Sequence, residues 1–508
     1  MKILLVYPQY PATFWSFKHI MKLLGKKAAF PPLGLLTVAS LLPAKWEKKL
    51  IDMNVEDLKD EDILWADLVF ISAMIVQKES VKELIERVKA LGKKVVAGGP
   101  LFTTDWKEYT SLADYLVLGE AEAALPLFLK DLKKGRLKKT YAVDKFPDLK
   151  KAVIPDYRLI NLKKYFSLCL QYSRGCPFNC EFCDIVRLNG RVPRYKTKGQ
   201  ILKELENLYR LGWRENVFFV DDNFIGNKVA VKKELLPAII EWQKKRKNPF
   251  GFITQTSINL ADDMELIRLM VKAGFATVFI GIETPNPKSL EECRKQQNQN
   301  RDLLAAVKKI QNGGLEVQAG FIVGFDHDSP SIFKKQIEFI QKSGIVTAMV
   351  GLLSALPETR LYQRLKEAGR LIKESSGSNT SLDLNFVPKM DKKVLVDGYK
   401  KIMTTIYSPK EYYQRVRTFL REFKPPLRKV PKFHFYYLKA LFASFWLLGV
   451  RHRGRRYFWK LIFWSLFRRP KTFPQAIGFS ITGIHFRRLY FEQSEKQGSP
   501  YGGEAKNN

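Results

Sequence analysis

The sequence predicts an α/β protein in three parts: an N-terminal doubly wound parallel sheet, then a (β/α) barrel, complete or partial, then a basic, mainly helical C-terminal region. Three observations carry this. Apolar β-type runs alternate with amphipathic helical stretches in two separate series, one before residue 135 and one after residue 165. A proline-bearing linker, "DKFPDLKKAVIPDYRLINLKKY", lies between them. From Pro425 to Tyr490 the chain holds Lys and Arg but no Asp or Glu. The implied division is 1–135 for the first sheet, 136–164 for the linker, 165–370 for the barrel, 371–424 for a helical extension and 425–508 for a basic, aromatic-rich tail.

In the first series the strands are "KILLVYP", "LVFISAM", "KKVVAGGP" and "ADYLVLGE", with helical stretches such as "ESVKELIERVKALG" between the later ones. A doubly wound sheet binds ligands at the carboxyl ends of its strands. Tyr10, Ser72, Met74, Gly98, Gly99, Gly119 and Glu120 fall at those ends. Glycine there lets a backbone approach a large ligand, and it equally suits an ordinary turn.

The second series runs through "SLCLQYSRG", "NVFFVDDNF", "FGFITQTSIN", "ATVFIGIETP", "LEVQAGFIVGFD" and "VTAMVGLLSALP". A barrel collects its chemistry at the carboxyl ends of its strands. Asp221, Asp222, Glu283 and Asp326 are placed there, either as ligand-binding groups or as strand-end caps.

Between the first two barrel strands lies "SRGCPFNCEFCDI", where Cys176, Cys180 and Cys183 form C-x3-C-x2-C, three of the five cysteines in the chain. The start, "MKILLVYPQYP", does not read as a secretory signal, so a cytoplasmic setting with reduced thiols is expected. Three thiolates can hold three irons of a 4Fe–4S cluster and leave the fourth iron open to a chelating molecule. Zinc is the alternative, but it needs a fourth ligand, and His19, His327, His434, His452 and His485 are all distant in sequence. The composition, 46% hydrophobic and 13% aromatic, excludes a disordered chain.

These motifs resemble the radical S-adenosylmethionine superfamily. "CPFNCEFC" matches its cysteine signature, with the aromatic Phe182 before the last cysteine. "VFFVDDNF" resembles its second-strand motif, which implies that Asp221 and Asp222 meet the amino group of S-adenosylmethionine. "GFIVGFD" resembles the adenine-side motif through Gly320, Ile322 and Gly324, and Glu283 and Asp326 are placed near the same cofactor. "ALPETRLY" resembles a late-strand motif, P-G-T-x-L-Y, with Glu358 standing where the family has glycine. A doubly wound sheet ahead of such a barrel is similar to the cobalamin-binding branch, and "AAFPPLGLLTVASLLP" and "AGGPLF" resemble hopanoid methylases and their relatives. The resemblance implies a 4Fe–4S cluster, S-adenosylmethionine and cobalamin as cofactors. It implies methylation of an unactivated carbon, with radical rearrangement, cyclisation or a non-catalytic sensor as alternatives. It also implies a one-electron donor such as flavodoxin or ferredoxin. Cobalamin domains with a lower axial histidine carry D-x-H-x-x-G; here "DMNVED" has Asp52 but Asn54 and Asp57 in the other places, so no histidine from that loop reaches cobalt.

The formal charge is +35, a field that attracts nucleic acid, anionic lipid or acidic proteins alike. In the tail, Trp446, Trp459 and Trp464 and many aliphatic residues accompany the cations. The best window for a membrane span, 433–450, contains His434 and Lys439 and is short. The pattern favours helices lying in an anionic membrane interface, on the cytoplasmic face, over a nucleic-acid surface. A basic helical domain packed on the barrel is the plain alternative. A membrane-docked enzyme fits a hydrophobic or lipid substrate.

Overall fold

The structure, a computed structural model, describes residues 1–425, 442, 444–452 and 454–496, with side chains as far as residue 490. The first sheet contains β1 (Lys2–Tyr7), β2 (Glu47–Asp52), β3 (Leu68–Ser72), β4 (Lys94–Gly98), β5 (Tyr115–Val117) and β6 (Thr140–Tyr141), in the order β2-β1-β3-β4-β5-β6. All its pairings are parallel, as a doubly wound fold requires. Ile3, Leu4, Leu5 and Val6 of β1 are wholly buried because helices cover both faces, so the strand reads as an unbroken apolar run. Val81, Leu84, Ile85 and Val88 line the buried stripe of the helix Lys78–Ala90 at helical spacing. Strands β2 and β6 were not expected. β2 is an edge strand that buries only its last three residues, and β6 is two residues inside the linker, so neither shows a periodic signal.

The second sheet contains β7 (Leu168–Leu170), β10 (Asn216–Phe219), β11 (Gly251–Thr256), β12 (Phe275–Glu283), β13 (Glu316–Val323) and β14 (Ala348–Leu352), in the open order β14-β13-β12-β11-β10-β7. It is a six-stranded partial barrel. The stretch expected to be one strand, "SLCLQYSRG", breaks after Leu170. Ser173–Arg174 (β8) then pairs antiparallel with Arg194–Tyr195 (β9).

By packing, the chain divides into two compact units. One comprises Met1–Pro11, Phe30–Trp242 and Ala355–Ser378, and the other Ala12–Ala29, Gln243–Ser354 and Asn379–Asn508. In the second unit the segment 12–29 joins the C-terminal helices: Phe14 stacks on Phe486 at 4.4 Å, and the His485 ring meets the carbonyls of Thr13 and Phe14. The helices Lys392–Ile406, Pro409–Glu422, Arg455–Arg468 and Phe473–Lys496 make the helical C-terminus. Among the described residues no helix is long and apolar enough to cross a membrane. The window 433–450 lies largely outside the described residues.

Candidate active site

Cys176, Cys180 and Cys183 lie on one irregular loop between β8 and the short helix Ile185–Asn189, at the carboxyl end of the first barrel strand. Gly175 enters the loop at φ 96°, and a Cβ there would stand 3.0 Å from the carbonyls of Asn189, Gly190 and Val192, so glycine is required. The Cys176 N–H donates to the Gly190 carbonyl at 3.1 Å, and Cys183 N–H closes a turn on the Cys180 carbonyl at 3.2 Å. Cys180 is buried, while Cys176, Phe182 and Cys183 are half-buried. Glu181, buried between them, ties the loop to the helix Arg360–Glu367: Arg364 donates to it at 2.7 and 3.0 Å. Among the described residues no three His, Cys, Asp or Glu side chains converge on a single ion. A cubane asks something else of its three thiolates, one iron each, and three cysteines spread along one loop meet that demand.

The two strand-end aspartates at β10 act on this loop. Asp221 is fully buried; it accepts from Tyr172 N–H at 3.1 Å, from Ser173 N–H and from Ser173 Oγ at 2.6 Å. Burial pushes its carboxyl up to about 7, against these donors. Both oxygens accept hydrogen bonds from the strand that leads into the cysteines, so Asp221 also anchors that strand, beside the contact with S-adenosylmethionine expected of it. Asp222 accepts from Gly175 N–H at 2.7 Å and Asn189 Nδ2 at 2.9 Å through Oδ2 alone. Burial raises its carboxyl too.

Arg174, which sequence reasoning did not single out, is the second anchor. Its guanidinium reaches Glu122 at 2.7 and 3.1 Å and also Glu120, while Arg194 joins Glu120 at 2.5 Å. Burial would raise Glu122, but Arg174 overrides it and holds the carboxyl below its ordinary range. Glu120, expected to meet cobalamin, is the carboxylate that these two guanidiniums share. The network joins the loop after β5 to the cysteine loop.

The other residues expected at cobalamin sort by packing. A Cβ on Gly98 would lie 2.8 Å from the Val117 carbonyl, and one on Gly99 would lie 2.5 Å from Ser72 Oγ, so the protein's own contacts already demand both glycines. At Gly119, φ 74°, a Cβ would meet nothing within 4 Å, which leaves room for a ligand. Met74 is exposed, with its N–H given to Gln77. Tyr10 N–H donates to Asn54 Oδ1 at 3.0 Å, and Asn54 Nδ2 donates to Asp52 at 2.8 Å and to the Pro8 carbonyl at 3.2 Å. Asn54 is therefore consumed locally. Asp52 also accepts from Tyr165 at 3.0 Å, and burial raises its carboxyl.

A cleft of about 820 Å³ opens beside these strand ends, between Lys78, Thr104–Glu108 and the stretch from Pro357 to Glu374; none of the residues expected at cobalamin lines it. Glu358 on its rim keeps a left-handed backbone, φ 60°, where the family has glycine, and pairs with Arg187 at 2.5 Å.

In the second unit, Glu283 ends β12 at φ 64° and is held by the buried Lys295 at 2.6 Å. Asn298 Nδ2 bonds the carbonyls of Gly281 and Ile282 at 3.0 and 2.9 Å beneath it. A left-handed non-glycine residue locked by its neighbours is strain retained at a strand end. A Cβ on Gly320 would crowd the Phe279 ring at 3.0 Å, and the Ile322 carbonyl accepts from Gln336. Gly324 takes φ 107°. The loop after it is capped by Asp328, which accepts from Gly324 N–H at 3.0 Å, Phe325 N–H at 3.2 Å and Ser289 Oγ at 2.8 Å. Asp326 lies 3.9 Å from Lys389. Asp328 and Lys295 were missed because no motif marks them: Asp328 caps its own loop and reaches Ser289, and Lys295 pairs with Glu283 only once the chain is folded.

Comparison with known proteins fits these features. A B12 binding domain matches residues 26–129, the Radical SAM superfamily residues 170–340, and a domain of unknown function residues 359–498. An uncharacterized methyltransferase of Synechocystis sp. is 42% identical over 96% of this chain and 91% of its own length. Hopanoid C-2 methylase of Rhodopseudomonas palustris is 35% identical over 92% of this chain and 90% of its own. The cobalamin-dependent S-adenosylmethionine radical enzyme OxsB shares the fold with a TM-score of 0.64 at 15% identity, over 100% of this chain and 82% of that one. The radical S-adenosylmethionine methyltransferase TsrM of Kitasatospora setae does so with a TM-score of 0.62 at 15% identity, over 96% and 99%.

Proposed function

Because the chain belongs to the family of cobalamin-dependent radical S-adenosylmethionine methyltransferases, we propose that it methylates an unactivated carbon of a hydrophobic, lipid-like substrate. In this family of cofactors the cluster supplies the electron that cleaves S-adenosylmethionine and cobalamin carries the methyl group, which leaves binding and orientation to the protein. Cys176, Cys180 and Cys183 would hold the cluster, with Phe182 directly before the last of them. Asp222 is the strand-end carboxylate with an oxygen left for S-adenosylmethionine, while Asp221 and Arg174 fix the loop. Glu283, Gly320, Ile322, Gly324 and Asp326 are the further candidates for contact with S-adenosylmethionine. Tyr10, Ser72, Met74 and Gly119 would border cobalamin, and Asn54, bonded to Asp52, Pro8 and Tyr10, would not bind it.

The observation that supports a lipid-like substrate is the near full-length likeness to hopanoid C-2 methylase. The tail is consistent with it. On the helix Arg455–Arg468, Arg456, Lys460, Phe463 and Phe467 fall at spacings of four, three and four on its exposed face, and Phe467 is 77% and Trp446 59% exposed. Aromatic and basic side chains on one face suit an anionic membrane interface on the cytoplasmic side. Trp459 and Trp464 take other parts: Trp459 stacks on Phe445, and Trp464 receives Arg417. A one-electron donor such as flavodoxin or ferredoxin completes the set of partners.

The test is anaerobic reconstitution with iron, sulfide and cobalamin, then methyl-deuterated S-adenosylmethionine with lipid extract and mass spectrometry. A labelled methyl group on a lipid supports the proposal. An unmethylated rearranged product points to the second reaction class, and the absence of 5′-deoxyadenosine points to a sensor. Co-sedimentation of full-length protein with anionic liposomes tests the tail. Phe467→Glu with Trp446→Glu should release it, whereas binding to nucleic acid alone would reject the membrane reading.

A further inference from the structure

We propose that the surface around Phe146 and Val192 is the docking site for the small acidic protein that delivers the electron to the cluster. The proposal rests on the reading above that Cys176, Cys180 and Cys183 hold the cluster and that a protein carrier reduces it. Val192 is 76% and Phe146 39% exposed, and Phe146 packs two residues before Val192, at Gly190. A Cβ on Gly190 would stand 2.8 Å from the Phe146 ring, and the Arg194 guanidinium lies 4.7 Å from the ring centre. The same Gly190 accepts the Cys176 N–H at 3.1 Å, and the Val192 carbonyl borders Gly175. One layer of backbone therefore separates this patch from the first cysteine.

The rim is basic. Lys145, Lys150, Lys151, Arg191 and Lys198 are exposed on the segments that carry and flank Phe146 and Val192, against Asp144 and Asp148, and Asp148 accepts from the Lys150 N–H at 3.0 Å. The segment that carries Lys150 and Lys151 is fixed beside β9: Gln200 Nε2 donates to the carbonyls of Leu149 and Ala152, and Arg194 donates to that of Pro147 at 2.9 Å. A small apolar centre in a cationic ring matches the weak, fast encounters of electron carriers, in which charge steers association and a limited contact permits release. Each cleavage of S-adenosylmethionine consumes one electron. The carrier is oxidised by one electron, the S–C5′ bond breaks to give methionine and the deoxyadenosyl radical, and the radical leaves as 5′-deoxyadenosine after taking a hydrogen atom.

The experiment compares the full-length wild type with Lys150→Glu plus Lys151→Glu, and with Val192→Asp. Binding of a bacterial flavodoxin is measured on the apoprotein and on the reconstituted protein at low and high salt, and 5′-deoxyadenosine formation is driven by reduced flavodoxin or by dithionite. We expect flavodoxin binding to weaken about tenfold or more in the variants, with the salt dependence of the wild type largely gone. The flavodoxin-driven rate should fall in parallel while the dithionite-driven rate is kept. Unchanged binding in both variants, or equal loss with both reductants, overturns the docking site. If reduced flavodoxin fails to drive the wild type while dithionite does, the reading that an acidic carrier serves the cluster fails as well.

Discussion

Removing Arg174 should cost more than any other single change near the cysteine loop that spares the cysteines. Its side chain and those of Glu120 and Glu122 are 14%, 7% and 11% exposed. In Arg174→Met, Glu120 keeps Arg194, but Glu122 loses the guanidinium that overrode its burial. A buried carboxylate stripped of its partner destabilises by about 3–5 kcal/mol. In a unit of this size each kcal/mol shifts the melting point by about 2–4 °C, so a loss of roughly 6–20 °C is expected. The assay is thermal unfolding of the apoprotein at neutral pH, followed by iron and sulfide content after reconstitution. Glu122→Gln on the Arg174→Met background removes the orphaned charge and should recover at least half of the loss. Arg174→Lys, a point charge without the fork, should fall between wild type and Arg174→Met. A shift under about 2 °C for Arg174→Met, or no recovery in the double variant, would refute the reasoning, because the network would then not be held by charge.

Replacing Cys176, Cys180 or Cys183 with alanine should abolish cluster binding, read as iron content and visible absorbance, whereas Cys169→Ala and Cys293→Ala, both buried among apolar residues, should keep it. The Co(II) holoprotein should give an electron paramagnetic resonance spectrum without nitrogen superhyperfine splitting, since Asn54 is consumed by Asp52, Pro8 and Tyr10; such splitting from a protein nitrogen would contradict the site. Asp221, raised to about 7, binds its proton more tightly in the folded than in the unfolded chain. Its contribution to stability is therefore full below about pH 4 and is lost as pH rises through about 7, so Asp221→Asn should flatten that part of the pH dependence of urea unfolding. At position 358 the left-handed backbone makes glycine the easier residue: Glu358→Gly should be more stable than Glu358→Ala by about 1 kcal/mol, and the reverse order in melting would mean that the conformation is not retained.

Local chemistry made much of this protein legible in the sequence. The continuous apolar run of β1 signals a strand buried on both faces, and helical spacing in the stretch that became Lys78–Ala90 signals its packing face. C-x3-C-x2-C raises the expectation of a cluster loop, because its spacing puts three thiols on one short loop. The absence of histidine at position 54 needs no structure to interpret. What the sequence could not show are pairings between segments. Arg174 meets Glu120 and Glu122 across 54 and 52 residues, and Ser173 meets Asp221 across 48. Only the fold brings these groups into one buried place. There, lost hydration makes each carboxylate depend on its donors, so Asp221 became an anchor of the cysteine loop and Glu120 part of an ion network. Such dependence has no period, and a one-dimensional pattern cannot carry it. Edge strand β2 and the inserted segment 12–29 escaped notice for the same reason, since their place is decided by what they pack against.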